Sequence, residues 1–126
     1  MNVPEDLRYT KDHEWVRTDG TRLRIGITDY AQDALGDVVF VQVPEVGVAV
    51  ASGDTVSEVE STKSVSEIYA PLAGTVVEAN ADLADTPERL NEDPYGEGWI
   101  CVIEVDDGAP TDALLDPAAY RSLIEE

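Results

Sequence analysis

From Glu14 to Asn80 the chain is cut into short runs rich in β-branched residues, and the cuts are made by turn formers at close intervals. Thr18-Asp19-Gly20-Thr21, Pro44, Gly47, Ser52-Gly53-Asp54 and the span from Pro71 to Gly74 leave no room for a long helix between them. The runs between these cuts read as strands: Glu14 to Thr18, Leu23 to Gly26, Val38 to Val43, Val48 to Ala51, Thr55 to Glu60, Val65 to Ala70 and Thr75 to Asn80. The first two should pair as a hairpin across the turn at Asp19-Gly20. So many short strands call for a closed or sandwiched core that hides their edges, and a mostly β fold is expected.

Helical signals are few. Ile27, Ala31, Ala34 and Leu35 recur at helical spacing, with Thr28 placed to cap and Gly36 placed to stop. Residues Asp82 to Gly98 form a loose polar stretch, with one helical turn expected near Pro87 to Leu90. Trp99 to Val105 reads as the last strand. Asp116 followed by Pro117 then opens a C-terminal helix carrying Tyr120, Leu123 and Ile124 on one side. One unit is expected across residues 1–126, with its core at about 23–105 and a helical extension at about 111–126.

Composition removes several classes of function. Acidic residues number 27 against eight basic ones, giving a net charge of −19 that repels phosphate backbones and anionic lipid surfaces. Neither nucleic acid nor membrane is an expected partner. The single cysteine, Cys101, excludes an internal disulfide and reads as a buried strand residue; the single histidine, His13, excludes a multi-histidine zinc site. No Asp-rich loop has EF-hand spacing, and no serine sits in a nucleophile elbow. Trp15 and Trp99 read as core or rim aromatics. Met1 to Asp6 lacks a basic region followed by an apolar run, so a cytoplasmic, unexported and monomeric protein of bacterial type is expected.

Among the eight basic residues Lys11 and Lys63 are the lysines and the rest are arginines. Amine chemistry therefore has two internal candidates. Lys63 lies in Val59-Glu60-Ser61-Thr62-Lys63-Ser64-Val65-Ser66-Glu67-Ile68-Tyr69-Ala70-Pro71, at a hairpin tip between strand-like runs and flanked by small polar residues. Glu58, Glu60 and Glu67 favour its ammonium form, so acylation would need an activated donor and a dedicated enzyme.

These residues resemble the H proteins of the glycine cleavage system. Glu60-Ser61-Thr62-Lys63 is similar to the family's lipoyl-attachment motif, and Ile68-Tyr69-Ala70-Pro71 with Gly74 to the stretch after it. His13-Glu14-Trp15-Val16, Gly26-Ile27-Thr28-Asp29 with Ala31, Leu35-Gly36-Asp37-Val38-Val39-Phe40, and Pro94-Tyr95 with Gly98-Trp99 resemble further family motifs in order. The resemblance implies a barrel-sandwich hybrid, like lipoyl and biotinyl domains, with an N-terminal hairpin, a short helix and C-terminal helices. It also implies a carrier without catalytic machinery, bearing lipoate in amide linkage on Lys63.

In the family a pyridoxal phosphate glycine decarboxylase loads an aminomethyl group on the lipoyl sulfur. An aminomethyltransferase then removes its carbon, and dihydrolipoamide dehydrogenase reoxidises the dithiol. A lipoate ligase or lipoyl transferase would attach the cofactor. The loaded arm is expected in a surface cleft lined by Glu14, with Asp12 and Glu67 adding to its negative field. Tyr30 and Ala34 stand where histidines occur in some relatives, which removes any role for those histidines here. A biotin carrier is disfavoured because Thr62 and Ser64, not methionines, flank the lysine. A lipoyl module of a 2-oxoacid dehydrogenase would carry Asp before it. The sequence alone also admits a relay donating lipoyl groups to other proteins and an unmodified interaction module.

Overall fold

Alternation along the chain builds the first hairpin. Leu23, Ile25 and Ile27 are buried while Arg22 and Arg24 face water, the pattern of a strand with one wet face. β2 (Glu14–Asp19) and β3 (Arg22–Ile27) pair antiparallel from Glu14↔Ile27 to Asp19↔Arg22. Gly20 supplies the positive φ that the tight turn between them needs. Gly26 serves packing instead: a Cβ there would lie 2.6 Å from Trp15 Nε1, so only glycine lets the indole lie flat against the strand.

The computed structural model describes residues 2–109, 111 and 114–125. Its remaining elements are β1 (Arg8–Tyr9), α1 (Asp29–Leu35), β4 (Val38–Val41), β5 (Ala49–Val50), β6 (Thr55–Ser61), β7 (Val65–Tyr69), β8 (Gly74–Ala79), α2 (Asp82–Asp85), α3 (Arg89–Glu92), β9 (Cys101–Glu104) and α4 (Pro117–Ile124). Two antiparallel sheets result, one of six strands in the order β1-β2-β3-β9-β8-β5 and one of three in the order β4-β6-β7. The mostly β expectation holds.

Val16, Leu23, Ile25, Val76 and Ile103 from the larger sheet meet Val41, Val59 and Ile68 from the smaller one in the main core. Each such burial contributes roughly 1.5–3 kcal/mol before entropy is counted. A second cluster of Val3, Leu7, Tyr9, Trp15 and Tyr120 fixes α4 to the outer strands, with the Tyr9 and Tyr120 rings stacked at 4.6 Å. Cys101 is buried as expected, and burial pushes its thiol up to about 12.

Several boundaries differ from the sequence reading. β9 begins at Cys101 rather than Trp99, because the Asn80 side-chain amide donates to the carbonyls of Glu97 and Trp99 at 2.8 Å and holds that segment out of the ladder. β4 ends at Val41, two residues before the expected Val43. The polar stretch forms two single turns, α2 and α3, where one was expected. β1 was not foreseen, since two residues show no periodicity. The expected helix after Asp116 is present, with Asp116 Oδ1 accepting from Ala119 N at 2.7 Å. Of the extension expected over 111–126, residues 112, 113 and 126 lie outside the described residues.

Candidate functional site

Lys63 stands at the tip of the β6–β7 hairpin, exposed together with Thr62 and Ser64. The last strand pair is Glu60↔Val65, and the turn beyond it is held by Ser61. Ser61 N–H donates to the Ser64 carbonyl at 2.8 Å, and its hydroxyl accepts from Ser64 N at 3.0 Å and Lys63 N at 3.3 Å. One serine thus closes a turn that contains no glycine. Glu60 and Ser61 are half-buried at the base of the tip.

The tip is also docked from the side. Thr62 N donates to the Asp37 carbonyl at 3.1 Å, tying the hairpin to the corner between α1 and β4. At that corner Gly36 has φ +82°, and a Cβ there would come within 3.3 Å of Lys63 Cε. Gly36 therefore both ends α1 and leaves a channel for the lysine stem. Asn91 on α3 locks the same corner: its amide donates to Gly36 O at 2.8 Å and Gln32 Oε1 at 3.0 Å, while its carbonyl accepts from Val38 N at 2.8 Å. Sequence reasoning missed Asn91 because its polar surroundings carry no periodicity, and it saw in Gly36 only a helix stop.

From the hairpin a groove of about 260 Å³ runs between α1 and β7, walled by Tyr30, Ala34, Ser66 and Ile68 and ending at Asp12 and His13. Tyr30 and Ala34 do line it, as aromatic and small residues rather than histidines. His13 is the non-glycine residue with positive φ among those described, and it is held there by its neighbours. Its Nδ1 lies 2.9 Å from Tyr120 Oη, and its ring packs on Tyr30 at 4.7 Å. The same phenol lies 2.7 Å from Thr28 Oγ1, the cap of α1. Burial lowers the His13 pKa, partly countered by Asp12.

Asp12 also lines a second cavity of about 350 Å³ with Glu14, Tyr9, Lys11, Tyr69 and Leu72. Glu14 is only 1% exposed, and its two oxygens accept from Thr10 Oγ1 at 3.0 Å and Tyr69 N at 2.6 Å. Burial pushes its carboxyl up to about 7 despite those two donors. The structure thus brings Asp12 and Glu14 to one wall. Glu67 stands exposed on β7, lines neither cavity, and accepts from the Tyr69 hydroxyl at 3.2 Å. All three acids act on the Tyr69 phenol, which is raised first by its hydrogen bond to Glu67.

Chemically the arrangement is a tethering point. An accessible primary amine sits on a braced turn, with a groove leading away to Asp12, which also borders the cavity that holds Glu14. Among the described residues no His, Cys, Asp and Glu group is disposed to hold a metal ion, and no helix is long and apolar enough to cross a membrane.

The family model for the glycine cleavage H-protein matches residues 7–126. The glycine cleavage system H protein of Anaeromyxobacter sp. (strain K) is 53% identical over 126 residues, spanning 100% of this chain and 98% of that one. A probable glycine cleavage system H protein of Haloarcula marismortui is 54% identical over 125 residues, spanning 99% and 98%. The crystal structure of a glycine cleavage system H protein from Mycobacterium marinum superposes with a TM-score of 0.89 at 40% identity, covering 98% of this chain and 100% of that one, and bears out the barrel-sandwich expectation. The chain therefore belongs to the glycine cleavage H-protein family, lipoyl carriers that serve the other components of the glycine cleavage system and are not themselves catalysts.

Proposed function

We propose that Lys63 is the residue that bears lipoate, and that the arm so formed carries an aminomethyl group from a pyridoxal phosphate glycine decarboxylase to an aminomethyltransferase before dihydrolipoamide dehydrogenase reoxidises it. The observation that supports this reading is that Lys63, unlike the other exposed lysine, Lys11, stands on a braced turn with an adjoining groove. Acylation by a lipoate ligase or lipoyl transferase turns an ammonium into a neutral amide and takes the net charge from −19 to −20. The dithiolane then supplies sulfur chemistry at the end of a long tether, and the protein supplies orientation and a high local concentration at each partner. Cys101, buried with its thiol pushed up to about 12, has no part in it.

Asp12 and Glu14 form the negative end of the proposed resting place for the loaded arm, and Glu67, exposed outside both cavities, adds only to the surrounding negative field. A cationic amine near Glu14 favours the ionised carboxylate and lowers its raised pKa. Given the bacterial and archaeal sources of the relatives, the cytoplasm is the compartment we assign. The test is glycine-dependent turnover in a mixture of the lipoylated carrier with the three enzymes. Lys63→Arg should abolish turnover while Lys11→Arg keeps it. Retained turnover in Lys63→Arg overturns the assignment.

A further inference from the structure

β4 departs from the alternation that a strand on a core should show. Val38 and Val41 are buried, yet Val39 is 55% and Phe40 48% exposed, two successive large apolar side chains turned to water. The cause is a bulge. The register slips between Val38, which faces Ser61, and Phe40, which faces Glu60, so Val39 has no partner of its own. Asn91 contributes by taking Val38 N–H with its side-chain carbonyl. β4 is also an edge strand of the smaller sheet. An exposed apolar edge invites unwanted association, and bulges concentrate where a side chain must be re-aimed toward a site.

Across the sheet Phe40 faces Glu60 and Glu60 faces Val65, which is itself 58% exposed. Directly opposed residues point to the same side, so these three form one row on the outer face, apolar, acidic, apolar. Behind them Glu58 pairs with Glu67 on the same face. The row lies immediately below the turn that carries Lys63. This face enters any cleft that receives the lysine.

We propose that the outer face of β4, β6 and β7, centred on Val39, Phe40 and Val65, is the docking surface for the enzyme that acylates Lys63. The partner presents an apolar active-site mouth ringed by cationic side chains, the apolar part meeting Phe40 and Val65 and the cations meeting Glu58, Glu60 and Glu67. A second copy of a chain with net charge −19 is a poor occupant of an acidic face. In the reaction served, the neutral Lys63 amine attacks the acyl carbon of an acyl adenylate. The amide C–N bond forms, the bond from acyl carbon to phosphate oxygen breaks, AMP leaves with that electron pair, and the amine proton passes to solvent. The proposal rests on Lys63 being the acylated residue.

The experiment is steady-state acylation of the full-length protein by a lipoate ligase supplied with lipoate and ATP. Variants are Phe40→Ser, Val65→Thr, and Val46→Thr as a control on the far connection between β4 and β5. Phe40→Ser and Val65→Thr should each raise KM by about tenfold with kcat largely kept, and Val46→Thr should match the parent. Thermal melts report whether Phe40→Ser folds, and Val65→Thr, an exposed change on another strand, carries the test if it does not. Parental KM in the folded variants overturns the proposal, as does a dimer in sedimentation that Phe40→Ser dissolves. Failure of the parent protein to accept lipoate at Lys63 instead overturns the carrier reading itself.

Discussion

Glu14 is nearly withdrawn from water, yet among the described residues it is paired with no cation; a hydroxyl and a backbone N–H are its partners. Its folded pKa of about 7 lies above the ordinary carboxylate value, so the folded chain holds a proton that the unfolded chain has released between about pH 4.5 and 7. Stability contributed by this group is therefore fully present below pH 4.5 and falls as pH rises toward 7, with a slope of at most about 1.4 kcal/mol per pH unit. Glu14→Gln should flatten that part of the profile in urea unfolding measured from pH 4.5 to 8. An unchanged profile would mean that Glu14 is ionised throughout. At this scale Lys63 was legible, because lysine is scarce here and its flanks are distinctive. The burial of Glu14 was not legible, because it depends on Thr10 and on the backbone of Tyr69, which lies 55 residues away.

Among the elements α4 lines neither the groove nor the turn of Lys63, yet it braces one end of that groove. Tyr120, fully buried, reaches from α4 to His13 on one side and to the cap of α1 on the other. Tyr120→Phe keeps the ring stacked on Tyr9 but removes the phenol partner of His13 Nδ1 and leaves Thr28 Oγ1 only its bond from Ala31 N–H. A loss of about 1–3 kcal/mol is expected in urea unfolding, since buried polar groups left unsatisfied carry most of their desolvation cost. No loss would show that the bridge contributes nothing. Strands, the capped helix α1 and the helix after Asp116 could be read from periodicity and capping residues. β1, α2 and the exact start of β9 could not, because they are set by long-range bonds such as Tyr9 N to Leu115 O at 2.9 Å and Asn80 to Trp99 O.

For the whole molecule the governing quantity is the charge of −19. The four ion pairs among the described residues are all solvent-exposed and contribute little, so attraction offsets only a small part of the self-repulsion. Salt shortens the reach of that repulsion to about 10 Å at 0.1 M and about 3 Å at 1 M. The melting temperature should therefore rise between these concentrations of potassium chloride; a fall would mean that the exposed pairs outweigh the repulsion. The fold class was readable at this scale because turn formers recur too often for anything but short strands. The smaller sheet's outward bulge at Val39 was not readable, since Val38-Val39-Phe40-Val41 looks uniformly apolar and only the register decides which side chains face water.

The most direct measurement is the intact mass of the protein purified from its native host, followed by peptide mapping. If Lys63 bears the arm, one lipoyl group is found, located on Lys63 and absent from Lys11. An unmodified mass from cells that contain lipoate and a working ligase, or a lipoyl group elsewhere on the chain, would contradict it.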